Sequence, residues 1–231
     1  MLLYALQVSG QSSNYYGAFP TIDHSGTISK KLDYSIYYFG AFNLINEEIK
    51  GVKEEPNLFA FYAEQALSYK VNPHLSLTGS YVFECQRPFK DNYRNENRFY
   101  LQGTYRYDLG KTSIKHRLRY DGRFIEDMVT RNSPYTSRVR YLFGLAIPLL
   151  RSTDKLYFSS YNEFFFNTYK GATAIYGENW AYAGIGYKTK HNGSFELGPL
   201  YIFWVNSQTS LTNFYYLQLC WVTHVNFMKK K

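Results

Sequence analysis

Residues Ser113 to Ile125 sort their charges onto one side of a strand. Taken alternately, one set is Ile114, His116, Leu118, Tyr120, Gly122 and Phe124, and the other is Ser113, Lys115, Arg117, Arg119, Asp121, Arg123 and Ile125. A repeat of two puts the sets on opposite faces of a β-strand. One face asks for hydrocarbon and the other for water or counter-charge. The pattern recurs along the chain, as expected of a membrane-spanning β-barrel.

Composition agrees. Of 231 residues, 20% are aromatic, with 25 Tyr and 18 Phe. Tyr suits membrane interfaces, where an apolar ring carries a wet hydroxyl. The mean hydropathy is nonetheless negative, because every second residue of such a barrel faces a polar lumen. The longest nearly unbroken apolar stretch, Tyr141 to Leu150, falls well short of the ~18 residues a spanning helix needs and contains Gly144 and Pro148. Any membrane residence is therefore by strands. The net charge of +8 sits on Lys and Arg that alternate with apolar residues or lie in turns. That layout is poor for nucleic acid and fits a basic lumen or anionic head groups.

Strands with apolar faces are predicted over Tyr34–Leu44, Phe59–Val71, Leu75–Cys85, Phe99–Leu109, Ser113–Ile125, Ser137–Leu149, Leu156–Asn167, Trp180–Lys188, Phe195–Val205 and Asn213–Phe227. Tyr15–Lys31 adds one or two more, broken near Asp23 to Gly26. Connections near Asn72, Gly110, Ser152 and Asn192 are short, whereas those near Asn46, Asp91, Thr130 and Gly171 are long. Outer-membrane barrels sort their loops by such parity. The expected fold is an all-β, antiparallel up-and-down transmembrane barrel of about twelve strands, with ten as the alternative. Residues 1–10 read as a signal-peptide remnant or a first strand, and 11–231 as one barrel domain.

In the final strand, Leu219, Trp221, Val225 and Phe227 share a face. This resembles the signal read by the outer-membrane insertion machinery, although Met228 and the lysines 229–231 follow the aromatic. Three further stretches, "HRLRYDGRF" from His116, "RYLFGLAIPL" from Arg140 and "LYFSSYNEFFFN" from Leu156, precede "YAGIGYK" and "SFELGPLYIF". Together they resemble the bacterial family called domain of unknown function 2490, over roughly Asp33 to Phe227. Tyr161, Asn162, Glu163 and Asn167 carry the most specific part. The resemblance implies an outer-membrane barrel of Gram-negative bacteria and carries over no catalytic residue.

The lumen-facing charges form the candidate site: Arg98, Arg106, Lys115, Arg117, Arg119, Arg123, Arg138 and Arg140 against Asp108, Asp121 and Glu163. The first reading is an ion-paired plug, since charges in a narrow barrel pair across strands and fill it. The protein would then be a structural or accessory subunit of an envelope complex, in contact with outer-membrane lipid, lipopolysaccharide and other envelope proteins. An anion-conducting pore is the second reading, and a rim-located lipid-modifying enzyme the third. No Ser-His-Asp arrangement can be named among His24, His74, His116, His191 and His224. No metal-ligand spacing or cofactor motif is present. Cys85 and Cys220 read as small strand hydrophobes, with a disulfide across a closed barrel left open. Adjacent Asn162 and Glu163 call for a bulge or a protein contact.

Overall fold

The computed structural model describes residues 11–46, 55–150, 152–207 and 209–228. The stretch 1–10 and the lysines 229–231 lie outside the described residues.

The fold is all β, and alternation explains each element. The first strands are β1 (Gln11–Thr27), β2 (Leu32–Asn46), β3 (Asn57–Lys70), β4 (Leu75–Gln86) and β5 (Arg94–Leu109). They are followed by β6 (Thr112–Ile125), β7 (Tyr135–Leu150) and β8 (Thr153–Asn167). The last are β9 (Tyr176–Lys188), β10 (Ser194–Ser207) and β11 (Ser210–Asn226). Each strand pairs antiparallel with the next, and β1 closes the ring by pairing parallel with β11.

The expected twelve strands are therefore eleven, and the antiparallel meander has one parallel seam. The difference lies in Asp23 to Gly26, where the chain does not break. Asp23 pairs with Tyr37 and Val222, and Gly26 with Tyr34 and Val225. The polar residues that suggest a turn are strand residues with polar surroundings. Asp23 and Ser25 line the lumen, and outward His24 bonds to Thr223 Oγ1 at 2.7 Å and Tyr34 Oη at 2.8 Å. In a meander with an odd number of strands, first and last run the same way, so closure must be parallel.

The two mouths differ. One is closed by connections 28–31, 71–74, 110–111, 151–152 and 189–193, the other by 47–56, 87–93, 126–134, 168–175 and 208–209. We call them the turn mouth and the loop mouth. Gly110 sits at φ +63°, the left-handed region a two-residue hairpin turn needs. At the loop mouth, the Asp127 carboxylate accepts from the Thr130 and Val129 amides at 2.7 and 3.0 Å and from the Thr130 hydroxyl at 3.0 Å. These bonds, the Thr130 amide first, hold its pKa below the ordinary aspartate value.

The seam is held by side chains on both faces. Tyr15 stacks on Phe214 and Tyr16 on Tyr215 near the loop mouth. Near the turn mouth Ser25 Oγ lies 2.9 Å from His224 Nδ1 and Thr27 Oγ1 3.3 Å from His224 Nε2. Parallel pairs are slightly weaker per residue than antiparallel ones, and these contacts offset the difference.

The apolar core lies inside the barrel, against the walls made by β1–β3 and β9–β11. Phe39 stacks between Phe19 and Tyr62 at centroid distances of 4.5 and 4.6 Å, and Trp180 meets Phe19 and Phe165 at 5.7 and 5.9 Å. Gly186 leaves room for a ring, because a Cβ there would collide with that of Tyr157. The outward faces present Leu, Phe, Tyr, Ile and Trp to the surroundings, Leu101 and Leu118 being 72% and 59% exposed. Among the described strand residues, the only charge on those faces is Asp154, at the turn-mouth end of β8, paired with Lys188 at 2.6 Å.

Candidate functional site

The charged wall is built by β4 to β8, whose lumen-facing positions meet in register. Arg98 stands opposite Arg123, and Arg119 opposite Arg140. Like charges directly opposite are destabilising, so each pair needs carboxylates. Glu96 supplies one for the first pair: it receives both Nε and Nη2 of Arg123 at 2.7 Å and Arg98 Nε at 2.7 Å. Arg98 also reaches Glu84 at 3.1 Å. Glu163 receives Arg140 Nε at 2.8 Å and Arg117 Nη2 at 2.7 Å. Asp121 pairs with Arg138 at 2.8 Å and with Arg140 at 3.6 Å. Arg119 donates to Gln102 Oε1 at 2.8 Å, lies 3.5 Å from Glu64 and covers the Tyr100 ring at 3.6 Å.

Hydrogen bonds join this wall to the aromatic core. The Tyr62 and Tyr100 hydroxyls donate to Glu64 at 2.6 and 2.5 Å. Glu178 accepts from Trp180, Trp204 and Arg138 at 2.5, 2.7 and 3.0 Å. Arg138 and Arg140 lie over the Phe165 ring at 4.8 and 4.3 Å. Buried charges are tolerated only when paired and hydrogen-bonded, and nearly all of these are. Of the six buried side-chain atoms that lack partners among the described residues, three are on this wall: Arg117 Nε, Asp121 Oδ1 and Thr136 Oγ1. These charged and aromatic side chains line the bore at its loop half.

A cavity of about 780 Å³ runs along the bore, from Glu84, Gln86 and Arg94 near the loop mouth to Pro73, His74, Ser25 and His224 at the turn mouth. Of the lumen charges expected in the network, Arg106 and Lys115 face this cavity and make no side-chain ion pair or hydrogen bond among the described residues. Asp108 is a correction: it lies exposed at the end of β5, outside the network. Arg98, Arg117, Arg119, Asp121, Arg123, Arg138, Arg140 and Glu163 come together. Glu96 lies in strand β5, which begins at Arg94, whereas the sequence placed that residue in a loop. Glu64 was legible as inward-facing, but its role as acceptor for two tyrosines was not.

The Tyr161 to Asn167 stretch is regular through Asn162, which pairs with Phe143 and Ala181. The expected bulge falls further on, between Phe165 and Phe166. Asn162 stays on the outer face because Asn179 Nδ2 donates to it at 2.7 Å and also to the Glu163 carbonyl at 2.8 Å. Asn167 ties down the next loop by donating to the Ala174 carbonyl at 2.9 Å. Tyr161 lines the lumen and stacks on Tyr182. Leu219, Trp221, Val225 and Phe227 are all exposed outward, and Trp221 donates to the Asn192 carbonyl at 2.8 Å.

Cys85 and Cys220 are free. Cys220 lines the lumen and Cys85 shares the outer face with Phe83, so no disulfide joins them. Ser25 and His224 approach like a nucleophile and its base, but Thr27, not a carboxylate, meets the other ring nitrogen. The third member of a triad is missing there. Among the described residues no cluster of His, Cys, Asp or Glu could hold a metal ion.

No curated protein and no solved structure matches the chain. One family model does, that described as protein of unknown function (DUF2490), over residues 24–213. The match runs from β1 into β11 and takes in the whole charged wall. The chain belongs to the DUF2490 family.

Proposed function

We propose that this protein is an integral outer-membrane barrel with a closed bore, serving as a structural or accessory subunit of a Gram-negative envelope complex. One observation carries the reading: among the described residues the outer faces of the strands hold no charge except Asp154 at the rim, while the other strand charges face the lumen, most of them paired. A barrel in water has no reason to clear its exterior of charge. A barrel in hydrocarbon must, because a central Arg or Lys on a lipid face costs about 2–4 kcal/mol. Loop parity supports the same reading, with the turn mouth toward the periplasm.

The ion pairs of Glu64 with Arg119 and of Glu163 with Arg140 place charged side chains inside the bore, which favours a barrier over a channel. The cavity that runs along the bore past Arg106 and Lys115 supports the second reading, a small anion-conducting pore. Planar-bilayer recording on the purified full chain tests the choice. A closed bore gives no steady conductance, and a sustained anion-selective current would overturn it. The accessory role predicts a stoichiometric partner after mild-detergent extraction from native membranes. A barrel that always isolates alone argues against that role.

A further inference from the structure

The turn half of the bore cavity holds three charged groups without a side-chain partner among the described residues. Arg106 and Lys115 are direct cross-strand partners on β5 and β6, an unfavourable pairing of like charges. Elsewhere on this wall such pairs are bridged by Glu96, Glu64 or Glu163; here no carboxylate reaches them. Arg117, next along β6, spends Nη2 on Glu163 and leaves Nε without a partner. These donors line one side of the cavity.

Across the bore lies Asp23. In a ring of eleven strands, β5 and β6 stand opposite the β11–β1 seam. The Asp23 carboxylate lines the same cavity and makes no hydrogen bond or ion pair among the described residues. Lys115, Arg106, Glu64 and Glu196 line the same cavity. Glu64 is committed to Tyr62, Tyr100 and Arg119. Glu196 accepts from the Tyr157 hydroxyl at 2.7 Å, and Lys70 is paired with Asp33 at 2.7 Å. What remains is a cationic pair facing a single carboxylate, with Tyr37 and Tyr161 lining the space near Asp23. Aromatic faces attract ammonium groups.

We infer that the turn half of the lumen is a binding site for a small zwitterion that carries a phosphate at Arg106 and Lys115 and an ammonium group at Asp23. Phosphate suits the donor set because guanidinium and ammonium donors can serve several of its oxygens at once. The ammonium group answers Asp23, which would oppose a simple anion. The site does not depend on where the barrel resides.

The test is titration of the refolded full chain with phosphoethanolamine, inorganic phosphate and ethanolamine, followed by calorimetry and by tryptophan fluorescence. Phosphoethanolamine is expected to bind at least about tenfold more tightly than either half. The double variant Arg106→Ala/Lys115→Ala should abolish binding. Asp23→Asn should reduce phosphoethanolamine to the level of inorganic phosphate. Removing a repelling pair should not weaken the fold, so unchanged unfolding of the double variant separates lost binding from lost structure. Equal affinity for inorganic phosphate, indifference to Asp23→Asn, or no binding of any probe would each overturn the inference. Competition by short-chain phosphatidylethanolamine at matching affinity assigns the zwitterion to a lipid headgroup, and failure to compete assigns it to a free solute.

Discussion

Thr21→Cys, made in a Cys85→Ser background, tests the parallel seam directly. Thr21 and Cys220 are register partners across it, and both line or face the lumen. Adjacent strands lie about 4.8 Å apart, inside the 4.4–6.8 Å Cα separation that a disulfide accepts. Had a further strand stood between β1 and β11, the gap would be two spacings, roughly 9.6 Å, which no disulfide spans. Oxidation should therefore link position 21 to Cys220, with loss of both thiols and altered mobility on a non-reducing gel. The bond closes a loop of about 200 residues, for which chain entropy gives about 5 kcal/mol as an upper value. Urea unfolding in detergent, with and without reductant, reads that increment. Asp23→Cys is the register control: it lies one step along the same face, at a diagonal distance of about 7–8 Å, and should link poorly. Free thiols after oxidation of the Thr21 variant, or better linking from position 23, would refute the seam as described.

Four further outcomes are expected. Glu163→Ala strands Arg117 and Arg140 and should cost about 3–5 kcal/mol by urea unfolding; a loss below about 1 kcal/mol would show the layer to be hydrated. Leu101→Arg, at an outward position 72% exposed, should cost about 2–4 kcal/mol in a bilayer, whereas an ordinary wet surface would register less than about 0.5 kcal/mol. Gly17→Ala drives a Cβ into the Phe42 carbonyl oxygen and should destabilise by about 2 kcal/mol or more, while Gly103→Ala, whose nearest neighbour is Leu77 Cδ2 at 4.0 Å, should be neutral or slightly stabilising. Because Asp127 titrates below its ordinary value in the folded loop, its contribution is present above the unfolded pKa and lost as pH falls through the lowered one. Protection of the Val129 and Thr130 amides from exchange, taken relative to the intrinsic rate at each pH, should fall in acid, and an unchanged protection factor would deny the carboxylate its role.

Much of this molecule was legible because a period of two is enforced at every residue. Strands such as Ser113–Ile125 must turn alternate residues outward and into the lumen, so both faces could be assigned from letters alone. The arginines of β5 to β7 followed from the same rule. What escaped was anything set by neighbours in space. Asp23 to Gly26 has the composition of a turn, and only pairing to both β2 and β11 makes it strand. Glu96 sits close to a loop in sequence, and its bridging of Arg98 and Arg123 depends on the register of β5 with β6. Asn162 reads as a misplaced polar group until Asn179 is brought beside it. How the aromatic core packs inside the bore depends on where rings from distant strands meet, which no single strand encodes.

The parallel seam also bears on the order of assembly. Every other pairing joins strands adjacent in sequence, closed by loops of roughly ten residues or fewer, which form early and at little entropic cost. Pairing β1 with β11 brings together the two strands farthest apart in the chain. Contacts of such long sequence separation are slow to form. Ten neighbouring strand pairs can thus zip into a curved, open sheet whose two free edges meet last. The groups that fasten those edges, Tyr15 on Phe214 and Ser25 with His224, form only at that final step, so weakening them should speed reopening while hardly slowing the zippering.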